Sequence, residues 1–155
     1  MVSMAASSRL TLAAQALALR SAFPSTKPVL RNGRLIWEHV LQPAAASDTY
    51  GVRLEARPCM QAEIFVTSPA LRPDTQGRLP HVYKNGSLCL NRAKDWRADQ
   101  LFINTTIPWA IEWLFFYELW LVDRIWRGDG LDENDLEGQQ GILHPYSPRA
   151  ARPRR

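Results

Sequence analysis

One stretch restricts the possible folds more than any other: Ile103–Ile125, INTTIPWAIEWLFFYELWLVDRI, which is apolar and aromatic enough to suggest a membrane span. Glu112 and Glu118 oppose that reading. They lie about 240° apart around a helix, so no single rotation turns both from lipid, and a carboxylate at bilayer centre costs about 2.5–3.5 kcal/mol. The stretch is expected instead to be a buried helix with Pro108 in its first turn. Trp109, Trp113, Phe116 and Trp120 recur at i, i+4, i+7 and i+11, the stripe of a helix laid on a core. No cofactor role is expected for these aromatics, and no membrane partner.

A helix of that kind needs a sheet to cover, and the preceding sequence supplies strands. Gly33 opens one at Leu35–Gln42, and Pro43 to Asp48 makes the turn after it. From Tyr50 to Arg57, Tyr50, Val52, Leu54 and Ala56 alternate with Gly51, Arg53, Glu55 and Arg57. From Met60 to Thr67, Met60, Ala62, Ile64 and Val66 alternate in the same way before Ser68-Pro69. Period-two alternation marks half-buried strands, and short connections favour an antiparallel meander.

The chain start allows two readings. Residues 1–34 are acid-free and contain arginine and serine, the composition of a mitochondrial transit peptide. The simpler reading is a first helix over Ser8–Arg20, with Leu10, Ala13, Ala14, Leu17 and Ala18 inward, stopped before Pro24. Arg9 and Arg20 break the apolar run too early for a secretory signal.

The net charge of +4 is unevenly spread. Five Lys/Arg and no acid precede Glu38, and four Arg and no acid follow from His144. Five acids with no base lie between Asp129 and Glu137, so the charge describes solvated ends rather than a basic face. With no basic-aromatic repeat, no nucleic-acid partner is expected. The domain is placed at 1–128, and 129–155 is expected to be an acidic loop and a flexible basic tail, with His144 in it.

Cys59 and Cys89 are too few for a disulfide framework or a structural zinc site, and His39, His81 and His144 are too scattered to complete one, so no metal is expected. A reducing cytoplasm is the simplest compartment. Cys59, beside Pro58, reads as a small buried hydrophobe and His39 as structural. Cys89 differs. It sits in the irregular segment Ala70–Asp99, behind an Asn85-Gly86 turn, and long irregular stretches in compact domains are usually functional.

The run Leu79-Pro80-His81-Val82-Tyr83-Lys84-Asn85-Gly86-Ser87-Leu88-Cys89-Leu90 resembles the active-site stretch of ubiquitin-conjugating enzymes. There, His-Pro-Asn leads through a turn to Asn-Gly-x-hydrophobic-Cys-Leu. The order of elements, with Trp96 after the cysteine, is similar over residues 5–127. The resemblance implies an α+β fold: N-terminal helix, antiparallel meander, long loop carrying the cysteine, then a buried aromatic-rich helix. It implies that Cys89 accepts an acyl group as a thioester, with Pro80, Tyr83, Asn85, Gly86 and Trp96 positioning the loop. The family's asparagine is replaced here by His81, eight residues before the cysteine. An imidazole N–H at that place serves the oxyanion or the loop, and action as a base is the other reading.

Pro80-His81-x-Tyr83 and the stretch from Thr106 to Glu118 are similar to a bacterial branch of the family that accompanies a cGAS-like nucleotidyltransferase in CBASS anti-phage systems. That resemblance implies the nucleotidyltransferase C-terminus, rather than ubiquitin, as the thioester partner, and a rise in cyclic-dinucleotide synthesis. A non-catalytic scaffold for the same partner is the alternative. The sequence has no Gly-x-x-x-x-Gly-Lys loop to activate a carboxylate, so activation is expected from outside and no cofactor is expected.

Overall fold

The computed structural model describes residues 8–91 and 95–128. The expected acidic loop and basic tail at 129–155, His144 included, lie outside the described residues, as do residues 1–7. In order, the elements are α1 (Leu12–Ala22), β1 (Val29–Arg31), β2 (Arg34–Leu41), β3 (Tyr50–Ala56), β4 (Glu63–Ser68), a short 3-10 turn (Phe102–Asn104) and α2 (Thr106–Asp123). The architecture is α+β.

The sheet has four antiparallel strands in the order β1-β2-β3-β4, not the expected three. The additional strand, β1, is a short edge piece whose residues are all exposed, so it carries no alternation of buried and exposed positions. Its hairpin to β2 turns at Asn32-Gly33, both at positive φ (51° and 70°). That is the pair of left-handed residues a tight hairpin turn needs. Further in, register aligns Leu35 with Ala56, Trp37 with Leu54 and Leu41 with Tyr50, and Leu54 in turn with Ile64. All of these face one buried layer. The last strand begins at Glu63 rather than Met60, because the chain turns at Arg57–Met60 with Cys59 at φ 58°, leaving Met60 exposed.

In α2 the stripe is buried at Trp109, Trp113 and Trp120 and partly buried at Phe116. Ile107, Ala110, Leu114 and Tyr117 are buried too, so most of the circumference faces protein. Glu112 is buried, while Glu118 Oε1 accepts from the Asp48 backbone N–H and the Tyr50 hydroxyl, each at 3.0 Å. No helix among the described residues is long and apolar enough to cross a membrane.

The first helix starts later than expected, with Thr11 as N-cap, and turns a different face inward. Gln15 and Leu19 are buried and Leu17 is 70% exposed. A buried glutamine reverses the face because its amide is fully used: Nε2 donates to Gln100 O at 2.8 Å, and Oε1 accepts from Phe102 N at 2.9 Å. A buried amide with both ends paired is stable where an unpaired one is costly. Residues 12–22 are thus an integral helix of this domain. His39 fits its structural reading, held against Phe23 and Trp37 with ring centroids at 4.8 and 5.3 Å. Burial pushes its pKa down, which favours the neutral ring.

Candidate active site

Between Leu79 and Asn91 the chain folds back on itself as a small hairpin. Gly86 N donates to Tyr83 O at 2.9 Å, Tyr83 N to Ser87 O at 2.8 Å, and Val82 bridges Leu88. Gly86 lies at φ 89°, a left-handed position that glycine occupies without cost, after a turn over Lys84-Asn85. Asn85 completes the turn: its Oδ1 accepts from Ser87 N at 3.0 Å and from Ser87 Oγ at 2.7 Å. Both Asn85 and Gly86 therefore shape the loop.

Two ties fasten this hairpin to the outer strand of the sheet. Leu88 N donates to Ile64 O at 2.9 Å, and Asn85 Nδ2 donates to Glu63 Oε1 at 2.7 Å. Leu88 and Leu90 are buried, while the residue between them, Cys89, is half-buried with a free thiol. Beyond it, the side-chain amides of Asn91 and Gln61 hydrogen-bond reciprocally. Cys89 thus sits half-buried between two buried leucines.

Cys89 N donates to His81 O at 2.8 Å, so the eight residues that separate the two in sequence bring their backbones together across the hairpin. The His81 ring has other company. It is 7% exposed and packs at a tilt against Trp126 with centroids at 4.9 Å, in the cluster that also holds Trp113. The indole N–H of Trp113 donates to His81 O at 3.2 Å. Half-buried Pro80 leads into this residue, whose φ of 50° takes it out of extended backbone.

The groups acting on the Cys89 thiol are its burial, which pushes its pKa up, and the neighbouring Tyr83 hydroxyl, which pulls it down. Burial and the neighbouring Cys89 push the Tyr83 phenol up to about 12. Tyr83, expected only to position the loop, is therefore also the side chain that meets the sulfur. Trp96 is elsewhere: it stacks with Phe102 and borders a shallow surface dent lined also by Leu12, Gln15, Cys59 and Met60. Cys59 is exposed there, not buried as expected, because the turn at its left-handed φ points it away from the core.

Three contributors were not singled out from sequence. Ser87 and Glu63 lack any signal beyond neighbouring a turn and a strand start. Trp126 lies beyond the helix stripe, past a left-handed cap at Arg124 (φ 62°) that redirects the chain. Among the described residues no group of three or more His, Cys, Asp or Glu side chains is placed to hold a metal ion.

The arrangement offers a half-buried free thiol on a hydrogen-bonded hairpin, a phenol beside it and an imidazole packed on Trp126. Against known proteins, residues 15–133 match the family model described as E2-CBASS, type II CBASS E2 protein. No curated protein matches the chain.

Proposed function

This chain belongs to the type II CBASS E2 proteins, and on that footing we propose that Cys89 accepts the C-terminus of a cGAS-like nucleotidyltransferase as a thioester, raising cyclic-dinucleotide synthesis in anti-phage defence. The observation that carries the reading is the half-buried, free Cys89 on a hairpin held to the sheet through Leu88 and Asn85. Acyl transfer needs a sulfur that a polypeptide end can reach, on a support that does not yield when it is approached. A free thiol of this kind suits a reducing cytoplasm.

Burial holding the thiol protonated favours a second reading, a non-catalytic scaffold for the same partner. The chemistry of the donor answers it. A carboxyl terminus already activated as a thioester or acyl adenylate carries the driving force, and the minor thiolate fraction then suffices. His81 enters this reading as support for the loop, through its carbonyl bond to Cys89 N. Ubiquitin has no part in it.

Co-expression with the neighbouring nucleotidyltransferase decides between the two. The expected result is an adduct with wild type that hydroxylamine or thiol releases, none with Cys89→Ala, and a stable amide with Cys89→Lys, read by intact mass and non-reducing electrophoresis. Equal co-purification and equal activation by all three without an adduct would establish the scaffold instead.

A further inference from the structure

Resting on the thioester reading, the geometry points to Tyr83, rather than His81, as the side chain that serves the reacting atom: its phenol O–H donates to the Cys89 sulfur and supports the attacking thiolate. The hairpin register carries this assignment. Tyr83 pairs with Ser87 through the 2.8 Å backbone bond, and Cys89 follows Ser87 by two residues, which alternation places on the same face as Tyr83. The intervening Leu88 points into the core.

His81 stands across from Cys89 by backbone, yet its φ of 50° interrupts the alternation that would carry its ring to that face. The ring is packed on Trp126. Tyr83 is 55% exposed. Of the other charged groups near the loop, Glu63 on β4 is engaged by Asn85 Nδ2 at 2.7 Å.

In the step, the Cys89 proton passes to a solvent base. The thiolate sulfur then attacks the carbonyl carbon of a thioester or acyl adenylate, a new C–S bond forms, and the old bond breaks with its electron pair leaving on the departing thiolate or AMP. Tyr83 keeps its proton throughout. Its ionisation, pushed up to about 12, leaves it a donor across the working range of pH.

The test does not need the partner. In the full chain carrying Cys59→Ser, alkylation of Cys89 by iodoacetamide is followed from pH 7 to 11 with Tyr83 present and in Tyr83→Phe, with circular dichroism as the check on folding. Loss of a donor to the thiolate raises the midpoint by about half to one pH unit, a three- to ten-fold slower reaction at lower pH. Superimposable profiles, or a change confined to the limiting rate at high pH, would overturn the assignment, since a steric role alters access without moving the midpoint. Because alkylation is independent of acyl transfer, this result stands apart from the fate of the thioester reading.

Discussion

Position 81 requires a left-handed backbone first and a particular ring second. At φ 50° the residue delivers its carbonyl to Cys89 N at 2.8 Å and Trp113 Nε1 at 3.2 Å, both of which fix the hairpin. Histidine and asparagine are among the residues that tolerate this conformation, whereas β-branched residues pay a steric penalty in it. Histidine at this place is thus compatible with the backbone that the hairpin needs. His81→Asn and His81→Val both lose the ring contact with Trp126, but the valine variant should be less stable than the asparagine variant by about 1–2 kcal/mol, measured by urea denaturation. The sign of the pH effect at Cys89 follows from the same loop. Burial raises its pKa, so the folded state favours the thiol, and the thiolate fraction and alkylation rate should climb as pH rises above neutral.

Among the elements, legibility followed hydrophobic contrast. Strands β2 and β3 and helix α2 were readable because their apolar residues repeat at the period of the element. Strand β1 was not, since every residue of it is exposed, although Asn32-Gly33 is a hairpin signal in plain view. The inward face of α1 was misread for a complementary reason: its centre is Gln15, whose worth lies in hydrogen bonds to residues 85 and 87 positions away. No local pattern reports a partner so distant. Gln15→Leu, which improves the apolar stripe on paper, should destabilise the domain by about 1–3 kcal/mol by leaving Phe102 N–H and Gln100 C=O without these partners, as denaturant midpoints will show. The site was legible in the same uneven way. Cys89, Asn85 and Gly86 were marked by turn chemistry, but the meeting of Tyr83 with the sulfur and the seat of His81 on Trp126 depend on tertiary placement.

For the whole molecule, both ends of the described chain converge on the middle. Leu10 N donates to Ala98 O at 2.8 Å at the start, and Trp126 closes over His81 at the finish. The described parts of the segment between β4 and α2 are thereby tied to helix, sheet and Trp126, which explains how irregular backbone supports a defined site. Its bond from Leu88 to Ile64 has another effect. Strand β4 ends the sheet, and an uncovered last strand offers its backbone to any other chain with the same need. The hairpin occupies part of that edge and so leaves less of it open to pairing. Asn85→Ala, which cuts the link to Glu63, should increase light scattering on mild heating ahead of any change in secondary structure. Chains in which this hairpin loosened would lose the support of Cys89 and uncover the edge of β4 in the same event.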